Sequence, residues 1–63
     1  MKRFDVRYGR LMENVLAMSA TAAAKGFCLE HSIPNAPHRT KNVDIANLLV
    51  QDIETKKKLY FII

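Results

Sequence analysis

The sequence has almost none of the material from which small proteins build covalent cross-links. Cys28 is the only cysteine among 63 residues, which excludes a disulfide within one chain. A lone cysteine also fits a reducing compartment better than a secreted, disulfide-rich scaffold. A chain this short has room for one domain with a modest core, and small domains often compensate by self-association. We therefore expect a single cytoplasmic domain over residues 1–63.

Glycine and long apolar runs are also scarce. The two glycines, Gly9 and Gly26, stand far apart, so the chain has no glycine-rich loop to cradle a phosphate. The apolar C-terminus, residues 59–63, is far too short to span a bilayer. The first residues are not followed by the apolar stretch of a secretory signal. These absences predict a complete small protein with no targeting segment and no membrane partner.

No group of side chains has the pattern of an active site. The six carboxylates form no recognisable pair in an apolar setting, whereas general acid–base catalysis needs titratable groups in a pocket. Cys28, His31 and His38 are the only soft metal ligands, too few for a four-ligand zinc site. A reactive cysteine needs an accessible, electropositive setting, and we expect Cys28 near the apolar stripe of a helix. The sequence thus predicts a protein that is not an enzyme, with no metal site and no cofactor.

The N-terminal residues predict a β-hairpin. Between residues 2 and 8 every second side chain is apolar, which is the period of a half-buried strand. Gly9 and Arg10 can supply a tight turn. Residues 11–18 then form a second strand that is partly apolar on both faces, which suggests that both faces are at least partly covered.

A helix is predicted to follow this hairpin. Ser19 is a good N-cap because its hydroxyl can accept a hydrogen bond from a free amide of the first turn. The alanine-rich residues 20–25 favour helix by intrinsic propensity. Phe27 is the main apolar anchor of the predicted stripe. The helix should end near Ser32, because Pro34 disfavours a helical conformation in the residue before it.

The second half of the chain permits two interpretations. Residues 33–42, with two prolines and two asparagines, predict a loop, which is the most promising functional loop. Residues 43–54 fit both a helix face and an alternating strand. A polar turn at residues 54–58 and a strongly strand-forming stretch at 59–63 favour a hairpin from residue 48 to 62. The predicted fold is therefore α+β, in the order ββαββ, with one helix on a four-stranded, mainly antiparallel sheet. The alternative is a ββαα arrangement with residues 43–54 helical.

Apolar residues make up 49% of the chain, which is a large fraction for so small an interior. The C-terminal strand is so apolar that it would attract another strand if it formed the edge of the sheet. Both features predict a homo-oligomer. We expect its interface at the C-terminal strand, in the residues Leu59, Tyr60, Phe61, Ile62 and Ile63.

The formal net charge is +4, which is compatible with an acidic protein partner or a nucleic acid. In the predicted topology, the turn at Gly9 and the loop at 33–42 lie at the same end of the sheet. A basic patch would gather there to contact a partner or a few phosphates. Its members are Arg7, Arg10, His38, Arg39 and Lys41.

Two functions are compatible with these features. The first is a small non-enzymatic interaction protein, a homo-oligomer that binds and inhibits or adapts a protein partner, as accessory proteins of phages and mobile elements do. The alternative is a small basic module that binds RNA or DNA. Both hypotheses follow from the absence of a recognisable group of catalytic residues. They differ in whether the partner is a protein or a nucleic acid.

Overall fold

One helix packs against a five-stranded antiparallel sheet in the computed structural model, which describes all residues from 1 to 63. The order of the strands in the sheet is β2-β1-β4-β5-β3. This arrangement confirms the α+β class. The single helix, of 11 residues, is not one that could cross a membrane. The elements along the chain are β1 (Lys2–Tyr8), β2 (Leu11–Ala17), α1 (Ala20–Glu30), β3 (His38–Thr40), β4 (Leu48–Asp52) and β5 (Lys58–Ile62).

The fifth strand is a correction to the predicted four-stranded sheet. β3 lies within residues 33–42, which were expected to be loop throughout. Its three residues are polar or charged and show no apolar alternation, so their own sequence gives no strand signal. They are extended because they pair with β5, with Arg39 opposite Phe61 and Thr40 opposite Tyr60.

The N-terminal hairpin follows the predicted alternation. β1 is an interior strand that pairs with β2 on one side and β4 on the other. Phe4 and Val6 are buried under the helix, while Arg7 on the opposite face is exposed. Gly9 has a φ of 59° and Arg10 does not share a positive φ, which is the pattern of the type II′ turn that joins tightly paired strands.

The start of the helix matches the predicted N-cap. Ser19 is extended, and its Oγ accepts a hydrogen bond from the backbone N–H of Ala22 at 3.1 Å. The side chains that face the sheet are small apart from Phe27, which is completely buried. Its ring meets Tyr8 edge-on with the centroids 6.4 Å apart. Small residues and one large anchor let α1 lie close over β1, β2 and β4.

The helix ends near Ser32, as predicted, in a Schellman motif. The N–H of Ile33 donates to the carbonyl of Cys28 at 2.9 Å, and the N–H of Ser32 donates to the carbonyl of Leu29 at 3.3 Å. Ser32 has a φ of 56°, in the left-handed region that this motif requires. Glycine would occupy that conformation with less strain.

Residues 48–54 form the first strand and the turn of the predicted hairpin, and residues 43–54 are not helical. A turn at residues 43–45 leads into β4, and β4 pairs with β5 through Leu48 opposite Phe61 and Val50 opposite Leu59. Leu48 and Val50 are fully buried between the sheet and α1. The alternation of buried and partly exposed residues along β4 is the strand period, and it decides between the two interpretations.

The core occupies only the side of the sheet that α1 covers. Side chains from α1 and from four of the strands meet there, and β3 contributes none. The ten buried apolar residues are Phe4, Val6, Ala17, Ala23, Ala24, Phe27, Cys28, Leu48, Val50 and Phe61.

Candidate interaction surface

The face of the sheet opposite α1 is covered by no helix or strand. Cross-strand partners share a face, and the register places Met12, Arg7, Leu49 and Tyr60 in one row across this open face. The neighbouring row is polar and holds Asn14, Asp5, Gln51 and Lys58. The open face therefore has a mainly apolar row, interrupted by Arg7, beside a polar one.

The apolar character is strongest at the β2 edge. Met12 is 63% exposed and Leu16 is 55% exposed, both on the open face. Met18, which follows the strand directly, is 74% exposed. Leu11, on the helix side, is 46% exposed. Three of these large apolar side chains belong to β2 and the fourth directly follows it, so exposed apolar groups concentrate at this edge, as they do at interaction sites.

The outer edge of β2 has free backbone groups. The two-residue turn makes Tyr8 and Leu11 a hydrogen-bonded pair, so alternate residues of β2 bond to β1 and the others point away. The N–H of Ile53 donates to the carbonyl of Arg3 at 3.2 Å, so the odd-numbered residues of β1 bond towards β4. The even-numbered residues of β1, including Tyr8, therefore bond towards β2, as the turn predicts. The outward-pointing residues of β2 are therefore Met12, Asn14 and Leu16.

This edge has none of the usual protection against pairing. Natural edge strands are blunted by proline, lysine, a bulge or a short length. β2 has seven residues, an unbroken register with β1 and no proline or lysine. Its only charged residue is Glu13, which faces the helix side, where its Oε2 lies 2.9 Å from His31 Nε2. By contrast, the opposite edge of the sheet is the short polar strand β3.

β5, where the oligomer interface was predicted, has a different position in the sheet from the one expected. β5 is not an edge, because it lies between β4 and β3. Phe61 belongs to the core, and Leu59 and Ile63 pack against that core. The argument from an unpaired terminal strand therefore does not apply to residues 59–63. Only Tyr60 and Ile62 contribute to the open face, where both are partly exposed.

The five predicted basic-patch residues lie towards the expected end of the sheet but do not form one cluster. Arg7 is on the open face of β1 and Arg10 is in the following turn. His38 and Arg39 are on β3, three strands away from β1, or roughly 14 Å at the usual spacing. Arg39 is opposite the buried Phe61 and so shares the helix side, whereas Arg7 does not. Lys41 directly follows β3.

Most of the cations have no acidic partner. Among the ten lysines and arginines, only Lys2 and Arg7 form salt bridges, with Asp52 and Asp5 respectively. Arg39, Thr40 and Lys41 also line a small depression at the β3 edge. The positive charge is therefore available to a partner, although it is spread over both ends of the sheet.

Asp52 is the one buried charged residue, and its role is structural. Burial opposes ionisation of its carboxyl group, but hydrogen bonds from the amides of Thr55 and Glu54, together with Lys2, outweigh burial and hold the pKa of Asp52 below its ordinary value. The distances from Oδ1 to the amide nitrogens are 3.2 and 2.9 Å, and Lys2 Nζ lies 3.4 Å from Oδ2. The carboxylate fixes the β4–β5 turn.

The cysteine and histidine residues are not arranged as a nucleophile and base. Cys28 is only 3% exposed, and burial raises the pKa of its thiol, so the reactive thiolate is disfavoured at neutral pH. His31 stacks at 4.3 Å on Phe27 and hydrogen-bonds Glu13 instead. His38 is on β3.

Glu13, Glu30 and His31 form the one cluster of potential metal ligands, with their ligand atoms within 4.8 Å of one another. This cluster does not include Cys28 or His38, the other two ligands considered from the sequence. The direct hydrogen bond between Glu13 and His31 ties α1 to β2. That contact gives the group a structural role.

The sequence pattern did not identify β2 as the exposed edge. Apolar residues on both faces of residues 11–18 predict a covered strand, and the strongly apolar residues 59–63 predict an edge at the C-terminal strand. The spacing of Met12, Leu16 and Met18 was the one sequence signal of an exposed apolar surface, because it places these side chains on the strand face opposite to Val15 and Ala17. β2 is an edge because of the order of the strands in the sheet, and no local sequence pattern encodes that order.

Comparisons with protein-family models, with curated proteins and with solved structures give no match.

Proposed function

We propose that this protein is a small non-enzymatic interaction protein, which acts as a homo-oligomer to bind and inhibit or adapt a protein partner. The observation that carries the proposal is the unprotected β2 edge, with exposed Met12 and Leu16 beside its free backbone groups. A lone monomer would leave this edge open to uncontrolled pairing. Specific association satisfies the edge and removes the apolar patch from water.

The rest of the open face supports a second contact, with the partner. The half-buried Leu49 and Tyr60 lie beside Arg7 in a shallow depression of about 230 Å³ under the turn that begins at Val43. Aromatic and arginine side chains are enriched in protein interfaces. The depression is on the same side of the sheet as Met12, so the self-association edge and the partner surface can be adjacent.

Two measurements test this function: the mass of the protein in solution, and whether the partner that it captures is a protein. Light scattering at micromolar concentration should give a mass above that of one chain. A tagged chain should capture the same protein from lysate with and without nuclease, and the double variant Leu49→Ala, Tyr60→Ala should lose that capture. Arg3→Ala is the control, because Arg3 is exposed on the same face outside the depression. A monomer that captures nothing would contradict the proposal.

Binding to RNA or DNA is the second candidate, favoured by the lack of acidic partners for most of the cations. The contacts would come from Arg7, Arg10, Arg39 and Lys41, with His38 beside them. Because each neutralised phosphate releases counterions, affinity would fall steeply with salt, by about tenfold or more between low and physiological salt.

Retention on heparin distinguishes the two candidates. A nucleic-acid-binding chain should be retained at low salt, and the triple variant Arg10→Ala, Arg39→Ala, Lys41→Ala should elute earlier. The control Lys25→Ala, Lys56→Ala, Lys57→Ala removes as many exposed cations from the helix and the opposite end of the sheet. Equal shifts for both variants would indicate net charge alone, and no retention would exclude this candidate.

A further inference from the structure

The geometry points to one specific assembly: two copies of this chain pair antiparallel through β2, about a two-fold axis at Asn14, to form a continuous sheet of ten strands, five from each copy. This inference rests on the proposed homo-oligomer and specifies its interface. The occupant of the β2 edge is thus a second copy of the chain.

The phase of the backbone groups selects the register. Met12, Asn14 and Leu16 direct both the N–H and the C=O away from β1. When Asn14 lies opposite Asn14 of the second copy, Met12 lies opposite Leu16, and every outward group on both strands finds a partner. This gives about six hydrogen bonds between the copies. A slip of two residues leaves some of these groups unpaired, and a slip of one residue places side chains on the wrong faces.

The side chains are self-complementary in the same register. On the open face, Met12 packs against Leu16 of the second copy, and the symmetric pair repeats the contact. Both side chains are more than half exposed in the single chain, so this contact removes two apolar pairs from water. On the helix face, Leu11 meets Ala17 of the second copy, which extends the apolar contact to the core side.

The charges do not oppose this pairing. Glu13 is the only charged residue of β2, and in this register it lies opposite Val15 rather than another carboxylate. Glu13 is also within hydrogen-bond distance of His31 on its own chain. At the axis, Asn14 meets its own copy, and two amides can hydrogen-bond each other. No like charges lie opposite each other across the axis, whereas on a strongly charged edge they would repel and destabilise the pairing.

The shape of the domain leaves this edge free. α1 packs on one face of the sheet and β3 closes the opposite edge, so neither covers the outer edge of β2. A two-fold axis perpendicular to the sheet places both helices on the same side of the ten-stranded sheet. The interface is isologous, which is the commonest symmetry of soluble dimers.

Amide hydrogen exchange tests the register residue by residue. Glu13 and Val15 bond to β1, so their amides should exchange slowly in both monomer and dimer. The amides of Met12, Asn14 and Leu16 should exchange slowly only in the dimer, and at least about tenfold faster after dilution below the dissociation constant. Sedimentation of the same samples gives the mass at each concentration.

Two substitutions at the axis should separate the copies while preserving the fold. Asn14→Pro removes an N–H that β1 does not use, a position where edge strands tolerate proline. Asn14→Lys, the second variant, sets two like charges opposite each other. Each should weaken dimerisation by about tenfold or more. Ile45→Lys adds the same charge at an exposed position outside β2 and should leave the dimer intact.

The outcomes separate this inference from the proposed function. Slow exchange at the three outward amides, lost in the Asn14 variants and kept in Ile45→Lys, would support the β2 dimer. A dimer that persists in both variants, with fast exchange at those amides, would overturn this interface and leave the homo-oligomer standing. A monomer at every concentration would overturn both. Protection that appears only with a different protein would assign the edge to a foreign strand and overturn self-pairing.

Discussion

At the scale of single residues, the stability of this small domain depends on few side chains. Phe27 fills the space between α1 and the sheet, while the neighbouring helix residues that face the sheet are small. Asp52 holds the β4–β5 turn through its carboxylate. The anchoring role of Phe27 could be predicted from the spacing along the helix. The ion pair of Asp52 could not, because its partner Lys2 is 50 residues away in sequence.

Phe27→Ala should lower the free energy of unfolding by about 3–5 kcal/mol, because it removes the largest buried side chain of the helix and leaves a cavity. Denaturant unfolding followed by circular dichroism measures the change. Leu29→Ala on the same helix is the matched control, since Leu29 is 82% exposed, and should change stability by less than about 0.5 kcal/mol. Similar losses for both variants would show that α1 does not present this face to the sheet.

Asp52 should make stability depend on acid pH. Its pKa is lower in the folded chain than the ordinary value of 3.8, so the unfolded chain takes up protons first as the pH falls. The stabilisation is complete above the ordinary pKa and is lost as the pH falls through the folded pKa. Asp52→Asn should therefore be less stable than the natural chain at neutral pH, and the gap should narrow as the pH falls below the ordinary value of 3.8.

Urea unfolding at a series of pH values measures that gap. Asp44→Asn provides the control, because Asp44 is exposed and its carboxylate takes part in no salt bridge. A gap for Asp52→Asn that is constant over the whole pH range would mean that the charge of Asp52 contributes nothing to folding.

At the scale of elements, local sequence explains the strands and helix that have strong periodic patterns. The alternation in residues 2–8, the cap at Ser19 and the C-terminal hairpin could all be predicted. β3 could not, since its three polar residues are extended only through pairing with β5. The order of the strands was also beyond local pattern, and it moved the exposed edge from β5 to β2.

The end of α1 provides a prediction at this scale. Ser32 adopts a φ of 56°, where a side chain costs about 1 kcal/mol relative to glycine. Ser32→Gly should raise the free energy of unfolding by about 0.5–1 kcal/mol, a gain reduced by the greater freedom of glycine in the unfolded chain. Thermal unfolding can measure it. Ser32→Ala retains the strain and should give no gain, and equal stabilisation by both would contradict the assigned helix end.

At the scale of the whole molecule, the excess of apolar residues was the most informative sequence feature. It predicted association, and the structure supplies an edge strand and an open face on which association can occur. The basic patch was less informative, because the topology spreads its members over β1, β3 and both faces of the sheet. The sequence could suggest a shared interface, whereas choosing its location required the three-dimensional strand order.

The account depends most on whether the unmodified chain associates with itself. Sedimentation equilibrium over micromolar to millimolar concentrations measures this without any substitution. The account predicts a species of twice the chain mass of 7.2 kDa, which dissociates on dilution. A mass of one chain at every concentration would contradict it.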